Sequence, residues 1–285
     1  MSKSFTSRGF ERYYISTVER LDRFLLERGF VESREKARAL IMAGLVYVNG
    51  HRVDKPGYRL KGGEEVRVLE PPRYVSRGGY KLEYALKRLG VEVRGRTALD
   101  VGSSTGGFTD CLLQHGAVRV YAVDVGRGQM HPRLRQDPRV ILYEKTDARS
   151  LTEEHVPEKV DILTVDVSFI SLTRILPSVL PFLKEEGEAL VLVKPQFELS
   201  PKEVRGGVVR EEELKEKALL RVIGFAQDLG FGLRGVVKAF PRGAKGNEEF
   251  FLRIRRGAGT VQLEEAVKKA LREPEGEVEK EVVLK

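Results

Sequence analysis

The sequence lacks several residue types and patterns that mark common functional classes. It has no tryptophan and a single cysteine, Cys111, among 285 residues. One thiol excludes an internal disulfide framework and a metal site made only of thiolates. The four histidines, His51, His115, His131 and His155, do not show the spacing of metal ligands. The sequence therefore predicts neither a disulfide-stabilised miniprotein nor a zinc ribbon.

Long apolar runs are also missing. No stretch approaches the roughly 18 consecutive apolar residues that a membrane helix needs. The N-terminal segment has no apolar core of the kind that a secretory signal carries. We therefore expect a cytoplasmic protein that has neither a membrane partner nor a bound metal.

Positive charge is in excess, and it is unevenly distributed. The 50 lysines and arginines exceed the 42 acidic residues, which gives a net charge of +8. The first 80 residues carry 16 basic and 10 acidic side chains, a net charge of +6. Residues 261–285 carry 5 basic and 7 acidic side chains, a net charge of −2. Because a basic surface attracts polyanions, we expect nucleic-acid contacts in the first 80 residues.

Two short helices are predicted near the N-terminus. Within residues 19–43, apolar residues recur at helical spacing in two segments. Gly29 ends the first segment, Ser33 is a good N-cap for the second, and Gly44 ends it. Basic residues lie beside both apolar stripes, so each helix is predicted to pack on one face and carry positive charge on the other.

A small sheet is predicted after these helices. Residues 45–53 alternate in polarity around Asn49-Gly50, a pair that suits the type I′ turn of a hairpin. Another alternating strand covers residues 65–69. Pro71-Pro72 then indicates a linker.

This order of elements resembles the S4 RNA-binding domain, and the order is more specific than the charge alone. The resemblance implies that basic side chains grip RNA phosphates, and each phosphate neutralised releases counterions. The residues concerned are Arg20, Arg23, Arg34, Lys36, Arg38 and, beyond the linker, Arg77. A solvated basic face on a helical hairpin is the alternative interpretation.

From residue 97 onward, strands and helices alternate. The predicted strands cover residues 97–101, 118–123, 140–143, 161–165, 189–193, 234–240 and 249–254. The predicted helices lie near residues 108–115, 171–183 and 211–229. This rhythm is typical of a parallel, doubly wound α/β sheet. The acidic run over residues 273–281 is expected to be exposed.

A glycine-rich turn follows the first of these strands. It reads GSSTGG over residues 102–107 and lacks the middle glycine of the G-x-G-x-x-G dinucleotide motif, which makes a nicotinamide oxidoreductase the weaker interpretation. Asp124 ends the second strand, where a carboxylate can bind ribose hydroxyls. Asp100 precedes the turn and resembles the acid that S-adenosylmethionine-dependent methyltransferases place near the amino-acid portion of the cofactor.

Longer strings carry a family resemblance. The string DVGSSTGGFTD over residues 100–110 resembles the TlyA family, which comprises FtsJ-like ribose methyltransferases with an N-terminal S4 domain and is also called the hemolysin A family. Further matching strings lie at residues 76–82, 164–171, 193–198 and 246–251. The resemblance runs from about Arg20 to Arg256.

The resemblance implies both a fold and an activity. The fold is an α/β Rossmann-like S-adenosylmethionine-dependent methyltransferase with a small N-terminal α+β S4-like domain. The predicted domains are residues 1–70 for the S4-like domain, 71–80 for a linker, 81–257 for the methyltransferase domain and 258–285 for a charged tail. The implied reaction is 2′-O-methylation of a ribose, that of a cytidine, in ribosomal RNA of the ribosomal subunits.

The family's Lys-Asp-Lys-Glu tetrad falls on Lys81, Asp166, Lys194 and Glu249. Glu249 is preferred to Glu248 because the family string reads G-N-x-E. A ribose hydroxyl is a poor nucleophile whose proton must leave, so a lysine that accepts the proton or steers the hydroxyl suits this chemistry. The cofactor residues that the resemblance implies are Asp100, Gly102, Ser103, Ser104, Thr105, Gly106, Gly107, Phe108, Asp124, Asp147 and Asp166.

Ordinary interpretations of the same residues stay open. By spacing alone, Lys81 is typical of a surface lysine on an amphipathic helix, and Glu249 of a surface strand residue. Asp166 and Lys194 each follow an apolar strand, where a charge faces either a cleft or solvent. Two other functions remain as alternatives: an RNA-binding ribosome-assembly factor that has lost activity, and the membrane activity that the hemolysin name suggests.

Overall fold

The structure is a computed structural model that describes residues 13–14, 18–69, 72–204 and 206–274. The chain divides into two compact units, Met1–Arg73 and Tyr74–Lys285. Each unit has its own apolar core.

The strands are β1 (Tyr13–Tyr14), β2 (Glu19–Arg20), β3 (Val46–Val48), β4 (His51–Val53), β5 (Arg59–Leu60), β6 (Glu65–Val68), β7 (Thr97–Val101), β8 (Arg119–Val123), β9 (Val140–Tyr143), β10 (Val160–Val165), β11 (Leu183–Val193), β12 (Phe231–Lys238) and β13 (Phe250–Arg256). The helices are α1 (Leu21–Glu27), α2 (Arg34–Met42), α3 (Arg77–Leu89), α4 (Gly107–Gln114), α5 (Pro132–Arg135), α6 (Leu176–Val179), α7 (Pro195–Glu198), α8 (Glu212–Asp228) and α9 (Leu263–Arg272). Short 3₁₀ helices cover Ala148–Ser150, Leu172–Arg174, Leu180–Phe182 and Ala244–Gly246.

The first unit confirms the predicted helices and hairpin. Ser33 caps α2, because its side chain accepts a hydrogen bond from the main-chain N–H of Lys36 at 3.2 Å. Asn49 and Gly50 both have positive φ, 50° and 77°, as a type I′ turn between β3 and β4 requires. The sheet has the order β1-β6-β3-β4, and β2 pairs with β5.

The core of the first unit lies between the two helices and this sheet. The apolar stripes of α1 and α2 meet the inward residues of the strands in one buried cluster. Its members are Leu21, Phe24, Leu25, Ala37, Ile41, Val46, Val48, Val53, Leu60 and Val66. Burying one large apolar side chain of this kind contributes about 1.5–3 kcal/mol.

The second unit is a seven-stranded sheet of order β12-β13-β11-β10-β7-β8-β9. The strands from β11 to β9 are parallel, and β13 runs antiparallel to both β11 and β12. Apolar residues of α3 and α4 belong to one buried cluster, and those of α6, α8 and α9 belong to another. The predicted doubly wound α/β fold is confirmed, and the two predicted closing strands are β12 and β13.

One predicted helix is wrong. Residues 171–183 form a 3₁₀ turn, the single turn α6 and a second 3₁₀ turn instead of one continuous helix. Pro177 and Pro181 lie inside this segment and have no N–H to donate to the preceding turn, so a continuous helical ladder cannot form. The strand that follows is also longer than predicted, since β11 begins at Leu183.

The segments expected to be a linker and a tail are partly structured. Within residues 71–80, Tyr74 is buried against Tyr80, and α3 begins at Arg77. After residue 257, the amphipathic helix α9 buries three apolar residues in the core. The Glu273 side chain forms an ion pair with Arg88 and is mostly buried, contrary to the expectation of exposure. The rest of the acidic run from residue 275 lies outside the described residues.

Candidate active site

The carboxyl edge of the parallel sheet positions three residues of the predicted tetrad. Asp166 follows β10 and Lys194 follows β11, and neighbouring parallel strands end at the same edge. In the antiparallel β13, Phe250 is opposite Val193. Glu249 therefore enters β13 at this edge, beside Lys194.

Each lysine of the tetrad is paired with one of the carboxylates. Lys81 on α3 donates a hydrogen bond from Nζ to Glu249 Oε2 at 2.7 Å, and these side chains are 11% and 3% exposed. Lys194 Nζ lies 2.6 Å from Asp166 Oδ1 and donates a hydrogen bond to Ser168 Oγ at 2.9 Å. Because each largely buried ammonium group is tied to a carboxylate, both nitrogens have fixed positions at the sheet edge.

The neighbouring acid Glu248 has other partners. Its carboxylate lies 2.7 Å from Lys215 Nζ, 3.2 Å from Arg242 Nη2 and 3.4 Å from Lys238 Nζ. Glu248 thus ties α8 and β12 to the start of β13. Glu249, and not Glu248, is therefore the acid that pairs with Lys81.

The glycine turn packs directly on the main chain of Asp166. Gly102 has a φ of 83°, and a Cβ at this position would lie 2.1 Å from the main-chain oxygen of Asp166. The N–H of Gly102 donates to Val123 O, and the N–H of Asp166 donates to Val101 O, both at 2.9 Å. Only glycine permits this approach, which brings the turn and Asp166 together.

The turn also presents polar groups suited to a nucleotide-like ligand. Asp124 accepts hydrogen bonds from the N–H of Ser104 at 2.7 Å and of Gly126 at 2.6 Å. Ser103 Oγ is buried and, among the described residues, has no hydrogen-bond partner. Thr105 and Met130 are among the residues that line a cavity of about 550 Å³, within the size range of small-molecule sites.

Asp100 lies beneath the turn and has no solvent exposure. Its carboxylate accepts hydrogen bonds from Thr109 Oγ1 at 2.7 Å and from Thr164 Oγ1 at 2.9 Å. It thereby connects β7, α4 and β10. Burial, with a smaller contribution from the charge of Asp166, raises the pKa of Asp100 to about 6 although the two hydrogen bonds oppose this shift.

This raised pKa predicts a pH-dependent stability. The pKa rises from 3.8 to about 6 on folding, which corresponds to about 3 kcal/mol. The stabilisation is complete below pH 4 and is lost as the pH rises through 6, since folding favours the protonated acid. The side chain of the Asp100→Asn variant is neutral at every pH. Relative to this variant, we expect the free energy of unfolding of the wild type, measured with urea, to fall by about 3 kcal/mol between pH 4 and pH 7. A difference between the two proteins that does not change with pH would contradict a raised pKa of Asp100.

Four other predicted cofactor residues have roles in packing, hydrogen bonding or helix capping within the protein. Phe108 is buried on α4, with its ring centroid 5.7 Å from that of Phe251. Gly107 packs so closely that a Cβ would lie 2.2 Å from Ser76 Oγ. Asp147 accepts hydrogen bonds from the N–H and guanidinium of Arg149, which hold the pKa of Asp147 below its usual value. Gly106, a fourth, is the N-cap residue of α4, with a φ of 96°.

The residues predicted to bind RNA fall into different environments. Arg20 and Arg34 both contact the buried carboxylate of Asp22. Arg23 pairs with Glu27, Lys36 pairs with Glu32, and Arg38 is exposed on α2. In the second unit, Arg77 donates a hydrogen bond to Arg242 O at 2.5 Å.

Two residues at the site, Ser168 and Phe169, lie in the matching string over residues 164–171, but no role was predicted for them. Ser168 accepts the hydrogen bond from Lys194, and Phe169 is 91% exposed with a φ of 63°. The Phe169 ring lies 5.0 Å from that of Phe197. The apolar residues Phe169 and Ile170, which follow a strand, would ordinarily be expected in the core. No feature of the sequence therefore predicted that Phe169 is exposed.

A buried acid holds the segment that carries these two residues. Glu198 accepts hydrogen bonds from Ser171 Oγ at 2.6 Å and from the N–H of Leu172 at 2.8 Å. The segment that follows Asp166 is therefore attached to α7, which begins directly after Lys194.

The described parts of the chain have neither a cluster of metal ligands nor a membrane-spanning helix. There, no group of three or more histidine, cysteine, aspartate or glutamate side chains is placed to hold a metal ion. None of the helices that the structure describes is both long and apolar enough to cross a bilayer.

Each of the two units matches a known protein family. Residues 74–256 match the FtsJ-like methyltransferase family, and residues 19–66 match the S4 domain. The first match covers the sheet, the glycine turn and both lysine–carboxylate pairs.

Individual relatives are similar over most of the chain. Hemolysin A of Brachyspira hyodysenteriae is 41% identical over 233 residues, which cover 81% of this chain and 97% of that protein. The 16S/23S rRNA (cytidine-2′-O)-methyltransferase TlyA of Mycobacterium tuberculosis is 41% identical over 261 residues, which cover 89% and 97%. A solved structure from Streptococcus thermophilus, provisionally named a hemolysin, has a TM-score of 0.68 at 41% identity and covers 89% of this chain and 95% of its own.

Proposed function

We propose, since the chain belongs to the TlyA family of FtsJ-like methyltransferases with an S4 domain, that it methylates a ribose 2′-hydroxyl in ribosomal RNA. The target nucleoside is a cytidine, and the methyl donor is S-adenosylmethionine. The observation that carries the proposal is the pairing of Lys81 with Glu249 and of Lys194 with Asp166 at the edge that holds the glycine turn.

The residues around the turn fit this cofactor. S-adenosylmethionine supplies a methyl group bonded to a positively charged sulfur. The Ser103 hydroxyl, which has no hydrogen-bond partner in the described parts of the chain, offers a hydrogen bond to a polar group of a ligand. Asp124 lies at the strand end where ribose hydroxyls are recognised. The Asp166 carboxylate provides negative charge beside the turn, where a sulfonium is favoured.

The paired lysines supply the proton chemistry. With the methyl donor bound, the ribose oxygen would bond to the methyl carbon as the carbon–sulfur bond breaks and the sulfur keeps the electron pair. The hydroxyl proton would pass to Lys194 Nζ after the ammonium group of Lys194 has released a proton to solvent. Asp166 and Ser168 hold this nitrogen in place. Lys81, held by Glu249, orients the ribose. Because the methyl donor is already activated, most of the acceleration comes from in-line positioning.

Recognition of the RNA is divided between the two units. We assign the first unit, which carries the larger charge excess per residue, to the RNA backbone. A nucleotide inside folded RNA must leave its stack to reach the lysines, which costs a few kcal/mol. Contacts outside the target nucleotide therefore have to offset this cost.

Phe169 is expected to stack on the extruded base. An exposed aromatic ring next to Ser168, the partner of Lys194, offers such a base a flat apolar surface, and stacking of this kind contributes about 1–3 kcal/mol. We expect Phe169→Ala to lower kcat/KM for ribosomal RNA by about tenfold. Val118→Ala is the control, because it shortens an exposed apolar side chain directly before the start of β8. This variant should leave kcat/KM unchanged. Equal activity of the two variants would argue against stacking.

Methyl transfer to ribosomal subunits tests the proposed function. Purified protein is incubated with small or large subunits and S-adenosylmethionine labelled in its methyl group, and label in the RNA is counted. We expect the wild type to transfer label. An inactive assembly factor would bind subunits without transferring label, and calorimetric titration with S-adenosylmethionine would show whether such a protein still binds the cofactor.

A further inference from the structure

In the first unit, one buried carboxylate holds two of the arginines predicted to contact RNA. Asp22, in the first turn of α1, has a side chain that is 1% exposed. Arg20 donates hydrogen bonds from Nε to Oδ1 and from Nη2 to Oδ2, both at 3.0 Å. Arg34 donates from Nε to Oδ2 at 3.1 Å, and the main-chain N–H of Arg23 donates to Oδ1 at 3.0 Å. Four hydrogen bonds from the protein thus converge on Asp22.

This group differs from the other ion pairs of the same helices. Arg23 with Glu27 and Lys36 with Glu32 are one-to-one pairs between exposed side chains four residues apart. In the group of Arg20, Asp22 and Arg34, two cations share one anion, so a net charge of +1 remains. The arginine side chains are 47% and 54% exposed. The surface therefore shows the two cations and hides the anion.

We propose that Arg20 and Arg34 form a clamp for one phosphodiester group of the RNA, with Asp22 as the positioning residue. Each arginine places one nitrogen about 3 Å from the same oxygen of Asp22, so the two guanidinium groups lie side by side. Asp22 uses two of the five N–H donors of Arg20 and one of the five of Arg34. Guanidinium groups suit phosphate because their planar donors match its oxygens in pairs.

The benefit of the clamp is preorganisation. Long basic side chains on a surface lose rotamer freedom when RNA fixes them, and that loss weakens binding. Asp22 fixes both arginines before RNA arrives. The hydrogen bond from Arg20 holds the pKa of Asp22 at about 2 against the effect of burial, so the carboxylate stays charged at any pH used for binding. The inference rests on the proposed function, because the ligand is the RNA backbone.

The test is Asp22→Asn in the full-length protein, with binding to purified ribosomal RNA measured by filter retention. Removing a negative charge from an RNA-binding surface should tighten binding if only net charge matters. The clamp predicts the opposite, a loss of affinity of about tenfold, because the arginines are no longer fixed. Glu27→Gln is the matched control: it removes one negative charge from an exposed pair on the same helix, and it should not weaken binding.

Salt dependence tests whether the two arginines share one phosphate. The slope of log affinity against log salt should fall by about 1 in the double variant Arg20→Ala, Arg34→Ala. A fall of about 2 would indicate two separate phosphates and would overturn the clamp. Affinity for S-adenosylmethionine should stay at the wild-type value in each variant, because the substitutions leave the second unit unchanged.

A conservative variant covers the case in which Asp22→Asn does not fold, as judged by its thermal melt. Arg34→Lys keeps the charge and removes the planar donors, and it should weaken RNA binding severalfold. Binding equal to wild type in Arg34→Lys, or binding as tight as wild type in folded Asp22→Asn, overturns the clamp alone. A wild-type protein that binds no ribosomal RNA overturns the proposed function together with the clamp.

Discussion

Lys194→Ala is expected to lower the rate of methyl transfer at least about a hundredfold, since general acid–base groups contribute about 10²–10⁴ to a rate. The variant removes the nitrogen that Asp166 and Ser168 hold at the sheet edge. It leaves the glycine turn and the first unit unchanged. Affinities for S-adenosylmethionine and for ribosomal RNA should therefore stay within about twofold of wild type, while single-turnover transfer of label collapses.

Lys184→Ala is the matched control for this variant. Lys184 lies near the start of β11, and its Nζ is 2.8 Å from Oδ1 of Asp161 near the start of β10. Lys194 and Asp166 directly follow the same two strands at their other ends. Losing an ion pair between these strands is thus common to both variants, and only Lys194 lies at the site. Similar losses of transfer in both variants would contradict a chemical role for Lys194.

Gly102→Ala is expected to abolish most activity through the main chain. A methyl group at this position would lie 2.1 Å from the main-chain oxygen of Asp166, far inside contact distance. Either the turn or Asp166 has to move, and a displacement of about 1 Å near reacting groups can cost about a hundredfold in rate. We expect kcat/KM to fall at least by that factor, together with a weaker affinity for S-adenosylmethionine measured by calorimetry.

Gly230→Ala is the control that distinguishes the clash with Asp166 from the backbone strain of alanine at positive φ. Gly230 has a φ of 86°, close to the 83° of Gly102, but a Cβ there would meet nothing within 4 Å. Alanine in this conformation costs about 1–2 kcal/mol at either position. Gly230→Ala should therefore lower the free energy of unfolding and leave methyl transfer intact. If Gly230→Ala lost as much transfer as Gly102→Ala, strain alone would explain the effect.

The fold could be predicted where local chemistry decides it. The pair Asn49-Gly50 predicted the hairpin turn, and the short apolar runs from residue 97 onward predicted every parallel strand, although β11 begins earlier than expected. The prediction of one helix over residues 171–183 was wrong because it relied on the apolar spacing and gave too little weight to Pro177 and Pro181. Those prolines interrupt the helix, and only short turns remain.

The site could be predicted as a set of residues but not as a set of contacts. Matching strings placed Lys81 and Glu249 together although 168 positions separate them in the chain. Nothing in the sequence distinguished the buried Asp22 from exposed acids, because burial depends on the neighbours that the fold supplies. Phe169 was missed for the converse reason, since an aromatic residue is ordinarily expected inside.

The most direct test of the central claim identifies the product nucleoside. Ribosomal RNA methylated by the wild-type protein is digested to nucleosides and analysed by mass spectrometry, with Lys194→Ala as the reference. We expect 2′-O-methylcytidine to appear with the wild type and to be absent with the variant. A methyl group on a base instead of a ribose, or equal product from both proteins, would contradict it.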